Sequence, residues 1–424
     1  MDASVAEAKA AAVDEANAAG GSAGPLAGVV TAHKDLVDTA DFVTTYGSPV
    51  FAGHRPKADG LIASRMSEAG AVAVGKTNTP EFGAGSHTFN PVYGATVNPY
   101  DHSKTAGGSS GGAAVALRTG MVGLADGSDL GGSLRNPAAW NNVVGFRASP
   151  GVVPRIGSGN AWNPLPLDGA MARTVDDLAL LLSVLAQPHP ADPLSTGLVL
   201  PPTIDPPQRA PRVAWSRDLG GLPISPEIHD VLDQLRADLD VLGWEVTEAT
   251  PDLSGADEAF LTLRAFLYAE RAEAMAPFMS QLKATVQGEI ERGQALTTPE
   301  VLAAYTQLDV LRKRALEFFD RSKDSGGYDL LLAPVTQVSP FPIDIEYPTE
   351  VAGVAMGSYV EWMRSCYLIS ATGCPTLSLP GGFTPDGLPV GVQIIGAPNA
   401  DAQLLQAAKA IETATRHGEK GPDL

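Results

Sequence analysis

Cysteine is almost absent from this chain of 424 residues: Cys366 and Cys374 stand alone, with no CxxC pair and no histidine nearby. That excludes a disulfide framework or a cysteine-rich zinc site and leaves two buried free thiols in a reducing compartment. Basic residues are also scarce, with 29 Lys and Arg against 48 Asp and Glu and a formal net charge of −19. No Lys/Arg cluster is available to neutralise phosphates, so no nucleic-acid partner is expected. An anionic membrane surface would repel the chain too, and solubility is the ordinary reading of such acidity. No apolar run approaches the roughly 18 to 20 residues needed to cross a bilayer. The N-terminal "MDASVAEAKAAAVDEANAAG" lacks the basic start and apolar stretch of a secretory signal. A soluble cytoplasmic protein with no membrane partner is the expectation. The seven histidines (33, 54, 87, 102, 189, 229 and 417) never reach HExxH or another metal-ligand spacing, so no metal is expected.

What is present is ample core material, 44% hydrophobic residues, arranged in alternating helix and strand signals. Residues 2–19 and 58–70 read as helices, the second closed by Gly70. Residues 24–35, "AVAVGKT", "MVGLADGS" and residues 142–149 read as strands. "TVDDLALLLSVLA" is a helix with Thr174 as its cap. "PRVAWS", "WEVTEA", "YDLLLAPV" and "GVQIIGA" read as strands, with helices over "EIHDVLDQLRADLDVLG" and "AQLLQAAKAIETAT". Residues 256–323 are mostly helical. The Pro-rich stretch 188–212 reads as a long surface connection, and no internal repeat is seen. This alternation predicts an α/β layered architecture.

Two motif matches are fortuitous. "GAVAVGKT" (70–77) fits the P-loop pattern, but its middle residues are themselves a strand and Pro80 disrupts the helix that should follow. "SQLK" (280–283) fits SxxK without the partner motifs and reads as a solvated helix face. Ser133 is followed by Leu134-Arg135, so GxSxG is absent as well. A Ser-His-Asp triad stays open on spacing alone, with His33 and His87 the histidines nearest the informative region.

That region holds two strings, "KTAGGSSGGAAVAL" (104–117) and "ADGSDLGGSLRNPAA" (125–139). Flexible linker composition is the bland reading. A serine nucleophile without a histidine can use lysine as its base if that lysine is neutral. At an ordinary pKa near 10.4, roughly one lysine in a few thousand is neutral at pH 7. Burial lowers that pKa because the ammonium loses hydration, and "AGVVTAHKD" places Lys34 at the end of an apolar strand. A serine between base and nucleophile can relay the proton. "DLGGS" can present successive N–H groups to an oxyanion.

Together these strings resemble the signature of the amidase signature family, serine hydrolases with a Ser–cisSer–Lys triad. The resemblance extends to "HKDLVDTA", "GKTNTPEFGAGSHTFNPVYGATVNPYD", "MARTVDDLALLL", "YDLLLAPV" and "GCPTLSLPGGFTPDGLPVGVQIIG", which leaves out roughly residues 185–325. It implies a single domain over residues 1–424, with a central mixed β-sheet covered by helices on both sides. Residues 24–180 would be the catalytic core, 185–325 a variable substrate-pocket region, and 326–424 the strands and helix completing the core.

By motif, Ser133 matches the nucleophile, Ser109 the cis-serine and Lys34 the base. Ser109 follows Lys34 by 75 residues and Ser133 follows Ser109 by 24. Leu130, Gly131 and Gly132, with Ser133, match the oxyanion-hole amides. Ser110, Ser128, Asp129 and Arg135 match supporting polar positions. The implied activity is hydrolysis of a small-molecule amide, aryl acylamide or carbamate through an acyl-enzyme, with esterase side activity and no cofactor. A homodimer is the implied assembly.

The chain departs from the family at Val30, His33 and the segment Trp140-Asn141-Asn142. Members also usually carry several more helical turns before the equivalent of residue 1, which leaves two expectations open: a numbering that begins late, or a short form with a less complete pocket wall. Phe260, Leu263, Phe266, Tyr268 and Met275 read as core or pocket wall. A glutaminase component of a tRNA-dependent amidotransferase is the second reading. A non-catalytic module of the same fold would be expected to lack a triad member, and all three are present.

Overall fold

Residues Val213 and Trp215 pack into one apolar cluster, while Ala214 between them packs into another. The same split separates Leu330 and Leu332 from Leu331 and Ala333, and Leu124 from Ala125. Successive strand residues point to opposite faces, so this alternation means a sheet buried on both sides. In the computed structural model, residues 3–157, 159–322 and 327–423 are described. Residues 2 and 323, the outer ends of two expected helical stretches, fall outside that set.

The strands run β1 (Val30–Lys34), β2 (Val72–Thr77), β3 (Phe89–Asn90), β4 (Gly94–Ala95), β5 (Leu124–Asp129), β6 (Val144–Arg147) and β7 (Leu167–Ala172). They continue as β8 (Arg212–Trp215), β9 (Glu245–Glu248), β10 (Leu330–Pro334), β11 (Glu350–Val351), β12 (Val354–Ala355), β13 (Thr376–Phe383) and β14 (Pro389–Gly396). Ten of them form one mixed sheet in the order β2-β1-β5-β7-β6-β13-β14-β10-β8-β9. β2, β1 and β5 pair in parallel, as do β10, β8 and β9, and the strands between pair antiparallel. Strands from both ends of the chain therefore share one sheet, as the single layered α/β domain requires.

One face carries helices Leu61–Glu68, Val175–Leu185, Pro226–Asp238 and Asp401–Thr415. The other carries Gly111–Arg118 and Arg135–Trp140, with Thr298–Phe318 over β8 and β10. Thr174 caps its helix as expected, accepting from the Asp177 N–H. Gly70 closes the Leu61–Glu68 helix region at φ +88°, a conformation open to glycine at little steric cost.

The sequence reading missed two strands of the ten-stranded sheet, and the short two-residue strands β3, β4, β11 and β12 as well. β7, "LDGAMA", has no β-branched residue, and its central glycine is required by a close neighbour: a Cβ on Gly169 would lie 2.5 Å from the Phe146 carbonyl oxygen. β13 contains Pro380-Gly381-Gly382, which reads as a turn but is a register irregularity against β14, where proline is tolerated. The 188–212 connection has no helix or strand before β8 begins at Arg212, yet buries Leu200 and Ile204 in the core.

Candidate active site

Lys34 ends β1 and is completely buried. Its Nζ lies 2.8 Å from Ser109 Oγ, 2.8 Å from Ser110 Oγ and 3.0 Å from Ser128 Oγ. Three residues distant in sequence thus surround one amine with hydroxyls. Burial lowers its pKa to about 7, although the carboxylates of Asp126, Asp129 and Asp168 pull the other way. A neutral amine has two N–H donors and one lone pair, so one of the three hydroxyls donates to it. Ser109 and Ser128 line the cavity described below, whereas Ser110 does not.

The double-serine turn is close-packed. A Cβ on Gly111 would sit 2.4 Å from Thr88 Oγ1, and one on Gly112 would sit 2.3 Å from the Asn78 amide nitrogen. Close approach, and not flexibility, explains these glycines, which removes the linker reading. The Gly108–Ser109 peptide is cis. The Ser110 N–H donates to the Ser133 carbonyl at 3.1 Å, tying the first turn to the second.

The second turn is organised by Asp129, at the end of β5. Its carboxylate accepts from the N–H groups of Gly132 (2.8 Å) and Leu134 (3.1 Å) and from Arg135 Nε and Nη2 at 3.0 and 2.9 Å. Arg135 also donates to Gln393 Oε1, the Cys366 carbonyl and Ser370 Oγ. Burial opposes the charge on Asp129, but Arg135 and Arg147 overrule it and hold the carboxyl far below its usual range. Gly131 and Gly132 have no room for side chains. A Cβ on Gly131 would meet Phe260 Cζ at 2.6 Å. One on Gly132 would meet Cys366 Cβ at 2.7 Å, and this residue sits at φ +122°. Because its N–H goes to Asp129, Gly132 serves the turn, although the motif matched it to an oxyanion donor. Among the described residues, no acceptor is found for the N–H groups of Leu130, Gly131 and Ser133.

His33 Nδ1 is 2.9 Å from Asp126 Oδ2, and Asp126 Oδ1 accepts from the Lys34 N–H. His87 Nδ1 donates to the Ile345 carbonyl, and burial pushes its pKa down to about 4. Among the described residues, neither of these histidines bonds a serine hydroxyl, so neither His33 nor His87 is placed as the serines' base. Trp140 is buried and stacked on Trp362 with centroids 5.4 Å apart. Its indole N–H donates to the Val338 carbonyl, a packing role. Lys76 of the P-loop-like string lies on β2 and donates to Val37, Thr39 and Thr44. The SQLK reading needs correction at its last residue: Lys283 is half-buried, pairing with the exposed Glu346 (2.6 Å) and lying over the Phe89 ring. Cys366 and Cys374 are free buried thiols, both pushed up to about 12 by desolvation.

Residues 1–405 match the profile of the family described as Amidase. The chain belongs to the amidase family. It is 35% identical over 440 residues to a glutamyl-tRNA(Gln) amidotransferase subunit of Moorella thermoacetica, covering 97% of this chain and 88% of that protein. It is 32% identical over 416 residues to an acylamidase of Rhodococcus erythropolis, covering 95% and 85%. A solved bacterial aryl acylamidase of the amidase signature enzymes superposes with a TM-score of 0.89 at 27% identity, covering 98% of this chain and 88% of that one.

Within this amidase fold, Ser109, Ser128 and Ser133 open onto a cavity of about 840 Å³. Tyr46, Phe51, His54 and Phe82 form a ring cluster on one wall, with centroid separations of 5.3 to 6.4 Å. From the helical region, Tyr268 and Met275 line the cavity along with Arg264 and Arg271. Phe260 and Leu263 belong to the core instead, and Phe266 is half-buried away from the lining. The ring cluster and the two arginines escaped the sequence reading, since they carry no motif and lie some 200 residues apart. Among the described residues no helix is long and apolar enough to cross a membrane.

Proposed function

We propose that this chain hydrolyses the carbon–nitrogen bond of a small or medium amide through an acyl-enzyme on Ser133, with Ser109 as proton relay and Lys34 as base. Neutral Lys34 takes the Ser109 proton as Ser109 takes that of Ser133. Ser133 Oγ then bonds the carbonyl carbon, and the C=O electrons move onto oxygen. The N–H groups of Leu130, Gly131 and Ser133 meet that oxyanion. As the C–N bond breaks, the proton returns through Ser109 to the leaving amine. Water adds to the acyl carbon by the same relay and releases the acid. Ser110, Ser128, Asp129 and Arg135 hold the turns in place, while Gly132 contributes through Asp129. Esters, with better leaving groups, are turned over as well. Residues 24–180 supply this chemistry, and 185–325 supply one wall of the cavity. The chain works without a cofactor as a cytoplasmic homodimer, a setting that suits its reduced thiols.

The observation carrying this reading is the fully buried Lys34 amine 2.8 Å from a serine that shares a cavity with Ser133. The test is hydrolysis of 4-nitroacetanilide and 4-nitrophenyl acetate by wild type and Ser133→Ala. Loss of both activities by about 10⁴-fold or more is expected. Persistence of either in the variant removes Ser133 as nucleophile. The amidotransferase relatives favour a second reading, glutamine hydrolysis within an assembly. A wild type inert on anilides but active on glutamine when partnered would establish it.

A further inference from the structure

Arg271 is half-buried at the cavity and spreads over ring faces, 6.0 Å from the Phe82 centroid and 5.9 Å from that of Tyr268. Among the described residues its guanidinium has no hydrogen-bond acceptor, and no carboxylate lies within ion-pair distance. Other charged side chains of the cavity are engaged: buried Arg264 pairs with Glu289 at 3.1 Å, half-buried Arg155 lies 3.9 Å from Asp168, and half-buried Asp38 accepts from the Tyr46 hydroxyl at 2.6 Å. A planar fork of N–H donors stacked on rings, with its edge free, matches a carboxylate bidentately. Phe82, under that fork, belongs to the same four-ring wall that offers offset or edge-on packing to a flat ligand.

We propose that the cavity contains an anion subsite at Arg271 that selects aromatic amides carrying a carboxylate. An arene packed on the ring wall directs its carboxylate to the guanidinium while its amide faces the serines. The assignment of the amide end rests on the hydrolytic reading above; the anion subsite does not.

Binding to Ser133→Ala protein separates the two, because it needs no turnover. Calorimetry with 4-carbamoylbenzoate and its neutral counterpart terephthalamide, at one ionic strength, reads the preference for the carboxylate directly. An affinity ratio of about 10 to 100 is expected, the range for a charge-assisted pair. In Ser133→Ala/Arg271→Gln that ratio collapses to about 2 or less, and Arg271→Lys retains part of it as a point charge. Equal binding of the two ligands to the Ser133→Ala protein overturns the proposal whether or not either arginine variant folds. A preference that survives Arg271→Gln and disappears in Lys57→Gln also overturns it, moving the anion to the exposed lysine on the rim. Intact preference in a chain whose wild type hydrolyses no amide would sink the catalytic reading and leave the subsite standing.

Discussion

The pH dependence of turnover tests the base assignment most directly. A lysine at its ordinary value of 10.5 would be neutral in only about one molecule in 3,000 at pH 7. With burial lowering Lys34 to about 7, about half the molecules carry the free amine at that pH, roughly a thousandfold gain in competent enzyme. The logarithm of kcat/KM for a neutral anilide should rise with unit slope below about pH 6, bend near 7 and level off above about 8. The measurement is a full profile from pH 5 to 10 with a substrate that does not itself titrate. A plateau already reached at pH 5, or a rise continuing to pH 10, would refute the reasoning. Lys76 supplies the control. It too is lowered by burial, to about 8, but bonds Val37, Thr39 and Thr44 and no active-site serine. Lys76→Met should leave the inflection in place, and Lys34→Met should abolish turnover at every pH.

Stability carries the same signature with a definite sign. The folded pKa of Lys34 lies below its unfolded value, so between about pH 7 and 10.5 the unfolded chain binds more protons than the native one. The destabilisation is complete below about pH 7 and is relieved as pH rises through that window, by up to about 1.4 kcal/mol per pH unit. Denaturation of Lys34→Met should lose that part of the climb, leaving the smaller contribution of Lys76 between about 8 and 10.5. A variant whose stability tracks wild type across the window would contradict a neutral Lys34.

Two further substitutions probe the second turn. Gly132→Ala places a Cβ 2.7 Å from Cys366 Cβ at φ +122°, displacing the oxyanion turn; kcat should fall by about 10²- to 10³-fold with KM little changed, and a fall in KM-limited binding alone would contradict that role. Arg135→Met leaves Asp129 buried with most of its compensation gone and should cost about 3 to 5 kcal/mol in urea denaturation, whereas a loss below about 1 kcal/mol would mean that Arg147 suffices.

Strands and helices were legible where propensity and burial agree. β10, "LLLAP", and β14, "PVGVQIIG", are apolar on both faces because layers cover both faces. β7 and β13 were not, because a neighbouring carbonyl demands glycine in one and a bulge accommodates proline in the other. In both cases tertiary contact overrides local preference. Lys283 shows the converse failure: a polar-looking string predicted a free solvated side chain, but Phe89 and Glu346 hold its amine in contacts that no local pattern announces.

The same contrast separates chemistry from selectivity. Asp129 gathers N–H groups from residues three, five and six positions ahead, so the second turn is encoded in one contiguous string and can be read from it. The first turn is almost as local, with its glycines dictated by Thr88 and Asn78 a few dozen residues upstream. Lys34 is the long-range member: a lysine ending a strand ordinarily points to water, so it was assigned as the base only through the resemblance to the family signature. The walls have no such compression. Tyr46, Phe82 and Arg271 meet only through the fold, each is an unremarkable residue where it stands in the chain, and their neighbours in sequence do not constrain one another. Changing one of them alters what enters the cavity without disturbing the hydrogen bonds that hold Asp129 or Lys34. A chain of this architecture can therefore keep its reaction while its substrate shifts, and substitutions at the wall should move KM and ligand preference independently of the pH inflection set by Lys34.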